Sequence, residues 1–205
     1  MSPRHHPSVE ILTAYVAGAH QPGFGLVVGA HVEGCTECRA RVAALEAASG
    51  AALSELPSVD LNVDALTKTM ARLDTPAPKA KPAQVGSLLE RLPLRGKRWV
   101  ALGVWVAAVD TPHAPEDRVY VLSVAAGMVA ARHEHSGAEY CTVLKGAFSD
   151  QLGTFAVGDF AAADTELNHQ PVVLGDEACV CLFATEGRLK PQGWIGQLVF
   201  ALADV

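Results

Sequence analysis

The feature that most constrains this chain is a change of hydrophobic period on either side of a proline run. Asp74-Thr-Pro-Ala-Pro-Lys-Ala-Lys-Pro82 carries three prolines within seven positions. Each proline lacks a backbone N–H and has a fixed φ, so neither a helix nor a sheet ladder runs through such a stretch, which reads as a linker. Before it, apolar residues recur at helical spacing. Val9, Leu12, Tyr15 and Val16 form one stripe, with Gly18 placed to end the helix. A second helical stretch starts after Pro22-Gly23, passes Val42, Leu45 and Ala48, and stops at Gly50. A third carries Val63, Leu66, Met70 and Leu73, with Asp60 or Asn62 as N-cap.

After Gln84 the pattern changes. Short apolar runs at 99–109, 118–124, 140–144 and 178–182 are separated by Gly, Pro and Asp, at the spacing of an antiparallel sandwich or barrel. The predicted fold is therefore α+β and multidomain. A helical module spans 1–74, a Pro-rich linker 75–86 and an all-β domain 87–205, with no internal repeat.

With 205 residues, half of them apolar, the chain can bury a substantial core. Its net charge of −6, with no basic stripe, argues against direct contact with nucleic acid or an anionic membrane. The acidic balance suits a basic partner, and solubility explains it equally well. No segment reaches the roughly 18 to 20 apolar residues of a membrane span, and Met1-Ser-Pro-Arg-His-His6 lacks the apolar core of a signal peptide. The expected compartment is the cytoplasm, where thiols stay reduced. Five cysteines there suggest metal binding or redox chemistry rather than a disulfide framework.

The spacing His31-x3-Cys35-x2-Cys38 supports the metal reading. On a helix advancing about 100° per residue, these positions fall within about 60° of one another. They then offer an imidazole and two thiolates, three of the four ligands of tetrahedral zinc, and such soft donors favour zinc over calcium or magnesium. His5-His6, ahead of the first helix, supplies the fourth. Two buried thiols beside a satisfied histidine are the simpler alternative. These motifs, with Arg4-His5-His6, Leu12-Thr-Ala-Tyr15-Val-Ala-Gly18, Val27-Val-Gly-Ala-His31 and Cys38-Arg-Ala-Arg41, resemble the zinc-binding anti-sigma domain of bacteria, the ChrR-type branch in particular. The resemblance implies His6 rather than His5 as the fourth ligand. It also implies a partner, an extracytoplasmic-function sigma factor kept from RNA polymerase.

A second constellation lies in the β half. Gly127-x5-His133-x-His135-x3-Glu139-x6-Gly146 matches the first signature of a cupin, a double-stranded β-helix barrel. Side chains at i and i+2 of a strand share a face, so His133 and His135 are predicted to point into the barrel. Glu139 returns a carboxylate after the Ser136-Gly137 turn, and His169 in Asn168-His169-Gln-Pro171 adds another imidazole. This donor set accepts Zn, Mn, Fe, Co or Ni. In the second segment Asp164 and Glu166 stand where Pro and Gly are usual in cupins, and Val173 replaces a common Asn. The stretches 158–171 and 179–185 nevertheless resemble the ChrR-type cupin, so the likeness covers nearly the whole chain.

Cys179 and Cys181 alternate on a strand and are predicted to face the barrel interior, in poor disulfide geometry. Cys141, two residues after Glu139, points the same way. Each is a possible redox or sensor residue, or a plain small core residue. Trp99 and Trp105 are expected to pack in the core, and His20 and His113 to lie in solvated turns or loops.

Two functions of different class follow. The first is a non-enzymatic regulator: a zinc-dependent anti-sigma factor that releases its sigma factor on oxidative stress, singlet oxygen by resemblance. The alternative is a metal-dependent cupin enzyme, a dioxygenase or isomerase, with an accessory zinc module. A zinc-dependent DNA-binding module is disfavoured by the acidic balance. Both a one-to-one sigma complex and a homodimer are compatible with the residues.

Overall fold

The computed structural model describes residues 2–73, 87–111, 118–130, 132–186 and 189–191, apart from the side chains of His135 and 189–191. The predicted linker, 75–86, and His113 lie outside the described residues. Helix α1 (Val9–Val16) starts at Ser8, whose side chain accepts the Ile11 N–H at 3.3 Å. Helix α2 (Pro22–Gly34) opens on a proline, where a missing N–H costs nothing.

The stretch read as one helix from Pro22 to Gly50 is two. Cys35 adopts an extended conformation (φ −111°, ψ 111°) that ends α2 and caps α3 (Thr36–Ser54), its Sγ accepting the Cys38 N–H at 3.4 Å. The correction has a physical reason. On a continuous helix, positions 31 and 38 stand about 10 Å apart along the axis, whereas the break brings His31 and Cys38 into contact. Helix α4 (Ala65–Leu73) begins later than its stripe suggests, leaving Val63 ahead of it. A single turn, α5 (Leu88–Arg91), leads into the strands.

The run at 99–109 is a hairpin of β1 (Leu94–Ala101) and β2 (Val104–Val109), turned at Leu102-Gly103 with Gly103 at φ +74°. Trp99 and Trp105 are cross-strand partners, and Trp99 is 67% exposed, so it is not the core residue expected from its size. His20, expected in solvent, is half-buried. Its Nε2 donates to the Ile11 carbonyl at 2.9 Å and its ring meets Tyr140 edge-on.

The remaining strands are β3 (Arg118–Val124), β4 (His133–His135), β5 (Glu139–Lys145), β6 (Ala147–Asp150), β7 (Gly153–Ala156), β8 (Phe160–Ala163), β9 (Asn168–His169), β10 (Val172–Leu174), β11 (Cys179–Thr185) and β12 (Leu189–Pro191). They pair antiparallel in the orders β1-β2-β3-β11-β5-β8, β10-β6-β7 and β12-β4-β9. Strand β11 reads as an unbroken apolar run because both of its faces are covered. Cys179 and Cys181 turn inward toward Phe148, Phe155 and Val173. Val180, Leu182 and Ala184 turn outward into a cluster with Leu12, Val27 and Val28 of the helices. Thr142 of β5, also on that outer face, donates its hydroxyl to the Val27 carbonyl at 2.9 Å. Helices α1 to α3 and the outer face of the barrel therefore share one apolar cluster, distinct from those inside the barrel. No helix among the described residues is long and apolar enough to cross a membrane.

Candidate metal centres

The break at Cys35 gathers the first constellation. One donor atom from each of His6, His31, Cys35 and Cys38 lies within 4.8 Å of the others. His31 Nε2 is 3.2 Å from Cys38 Sγ, and His6 Nδ1 is 3.4 Å from both sulfurs. His31, Cys35 and Cys38 are buried. The neighbouring His5 turns away, with Nε2 on the Thr154 carbonyl at 3.0 Å and its ring against Phe155.

Groups around the cluster set its tautomers. The Gly158 carbonyl can only accept, so the His31 Nδ1 at 2.7 Å donates and Nε2 is left with a lone pair facing the sulfurs. The Glu37 carboxylate stands 3.6 Å from His6 Nε2, on the far side of that ring from the cluster. Ligating histidines are held this way in metal sites. Burial lowers the His31 pKa, which keeps the ring neutral, and pushes the Cys38 thiol up to about 12, with Cys35 adding to the effect. A metal entering this set displaces a thiol proton. Two sulfurs and two imidazole nitrogens in a closed, buried cluster fit structural zinc.

The second constellation sits at one end of the barrel. His133 and His169 are register partners on β4 and β9, with Nε2 atoms 3.0 Å apart, and both are buried together with Glu139. Donor atoms of these three lie within 4.8 Å. The fourth predicted member, His135, ends β4, and its side chain lies outside the described residues. Burial raises the Glu139 pKa to about 8, against a Tyr120 hydrogen bond that lowers it.

Asp150, which no motif had singled out, accepts the His169 Nδ1 hydrogen at 2.8 Å from the end of β6. An Asp before Gln151-Leu152-Gly153 reads locally as turn chemistry, and its side chain does also accept the Leu152 N–H. Nothing local announces the histidine. The three remaining thiols cluster behind Glu139: Cys179 and Cys181 sulfurs are 3.6 Å apart, and Cys181 bonds Cys141. All are free and buried. Burial pushes the Cys141 thiol up, while the hydrogen bonds within the cluster are the main cause of the rise for Cys179 and Cys181. They rest as protonated thiols.

Known proteins resemble this chain in sequence and fold. Residues 95–189 match the family model described as the ChrR Cupin-like domain. Anti-sigma-E factor ChrR of Cereibacter sphaeroides is 37% identical to this chain, over 97% of each. The chain belongs to the ChrR family of anti-sigma factors. A crystal structure of Rhodobacter sphaeroides SigE in complex with the anti-sigma ChrR matches with a TM-score of 0.78 and 38% identity, covering 90% of this chain and 100% of that one. Membership of the ChrR family favours the regulator over the cupin enzyme, because the likeness extends through the helices as well as the barrel.

Proposed function

We propose that this chain is a zinc-dependent anti-sigma factor that sequesters an extracytoplasmic-function sigma factor and releases it on oxidative stress of the singlet-oxygen type. The observation that carries the reading is the full-length likeness to ChrR, with 38% identity to the chain solved together with SigE. In this reading 1–74 is the clamping domain, 75–86 the linker and 87–205 the sensing cupin, at work in a reducing cytoplasm. His6, His31, Cys35 and Cys38 hold zinc, which stabilises the small helical fold. His133, His135, Glu139 and His169 hold a second divalent ion in the barrel.

The surface for the partner is a row on α4 that no described residue covers. Leu66, Met70 and Leu73 are 74%, 54% and 72% exposed at i, i+4 and i+7, one face of the helix. Leu53, Leu56, Val59 and Leu61, exposed ahead of it, extend the apolar surface. Such a surface is what a partner protein covers. In the barrel, Cys141, Cys179 and Cys181 form an oxidisable thiol cluster close to Glu139 of the second site.

Co-expression with the cognate sigma factor tests this reading. The wild type is expected to co-purify with sigma and zinc, and to release sigma under a photosensitiser. His31→Ala or Cys35→Ala is expected to lose both zinc and sigma; a complex that survives either change overturns the zinc clamp. Release from Cys141→Ser, Cys179→Ser and Cys181→Ser each equal to wild type removes these thiols from the sensing step.

A further inference from the structure

The helical metal cluster has a wall made of barrel. Residues 158–160, at the entry to β8, contact His31 and the chain just ahead of His6. The Gly158 carbonyl accepts from His31 Nδ1 at 2.7 Å, and the Phe160 ring lies edge-on to the His31 imidazole. Asp159, 2% exposed, accepts backbone N–H groups through both carboxylate oxygens. Its Oδ1 takes Arg4 at 2.5 Å and His5 at 3.0 Å, and its Oδ2 takes Ala156 at 2.8 Å. The Phe160 N–H returns a bond to the His5 carbonyl at 3.0 Å. Of the three contacts of the Asp159 carboxylate, only that with Ala156 serves the barrel's own turn. The others fasten the arm that carries His6, between Pro3 and Pro7. Gly158 (φ +89°) permits the approach, since a Cβ there would sit 2.9 Å from the Pro3 ring.

We infer that Asp159 is a positioning residue of the N-terminal metal centre: a barrel carboxylate holds the 3–7 arm so that His6 Nδ1 meets the two sulfurs. The inference rests on the zinc reading above. A carboxylate bonding two consecutive amides makes strong, directional contacts, and their burial strengthens them. Without them the arm must be ordered at the moment of metal binding, and His6 becomes a tethered ligand instead of a fixed one.

The test uses the full-length chain and cobalt(II), whose thiolate charge-transfer band reports the cluster containing Cys35 and Cys38 and not the His/Glu site. Zinc competition against that band gives the affinity. Asp159→Asn turns an N–H donor toward the amides, and Arg4→Pro removes one donor from the arm without touching the barrel turn. Both are expected to weaken zinc about tenfold or more, the scale of losing a partner that orients a ligand. Cobalt uptake at the barrel site is expected to be unchanged. In a His6→Ala background Asp159→Asn is expected to add no further loss, because the arm then has no ligand to place. Wild-type affinity in both variants, or an undiminished loss in the His6→Ala background, overturns the inference while leaving the zinc site standing. Absence of the thiolate band from the wild type overturns the zinc reading itself, and this inference with it. If Asp159→Asn fails to fold, Arg4→Pro decides.

Discussion

His31 and His169 lie in different halves of the chain, yet the same device holds both. Each donates Nδ1 to an oxygen, the Gly158 carbonyl in one case and the Asp150 carboxylate in the other, and turns Nε2 toward a cluster of donors. The device sets tautomer and ring angle before any ion arrives. Asp150→Asn should therefore weaken divalent metal at the barrel site by about 10- to 100-fold, measured by equilibrium dialysis, with the thiolate cobalt band of the other site unaltered. Undiminished binding would remove the orienting role of Asp150 and leave His169 in place. The donors themselves were legible as residue types at fixed spacing. Asp150 and Gly158 were not legible as partners, because each meets a ring from a distant part of the chain and no local pattern encodes the pair.

Among the elements, sequence reading was most reliable where a period ran uninterrupted and least where a turn fell inside an apolar run. Strand β3 coincides with the run at 118–124, whereas 99–109 conceals the Leu102-Gly103 turn. The helix break at Cys35 was hidden for a related reason: His-x3-Cys-x2-Cys suits one helix face, and only the capping role of the Cys35 sulfur reveals the junction. Helix α4 shows the opposite case. Its amphipathic stripe is plain in the residues, yet the described fold leaves the apolar face outside. Leu66→Glu with Met70→Glu should therefore cost no more than about 1.5 kcal/mol of stability, two exposed substitutions and one like-charge i,i+4 pair, while abolishing sigma capture in a pull-down. A double variant that still captures sigma would move the docking surface elsewhere.

At the scale of the whole molecule, the helices and the barrel enclose a single buried cluster, from Leu12 and Val28 to Val121 and Leu182. A shared core predicts shared unfolding. Circular dichroism, dominated by the helices, and fluorescence of the three tryptophans, Trp99, Trp105 and Trp194, all C-terminal to the proline run, should report one urea midpoint. Stripping metal with a chelator should lower that midpoint for both probes together. Separate midpoints would mean that the helical module and the barrel unfold independently.

The sequence alone determined what is short-range: helical and strand periods, the proline run, and the donor types at i+4, i+7 and i+2 that mark two candidate metal sites. Such features follow from backbone geometry within a few residues. The tertiary structure decided which oxygen orients each histidine, which of His5 and His6 reaches the sulfurs, and that the helices lie on the outer face of β5 and β11. Those depend on groups as far as 155 positions apart, as Arg4 and Asp159 are. Their meeting is set by how two amphipathic surfaces bury each other.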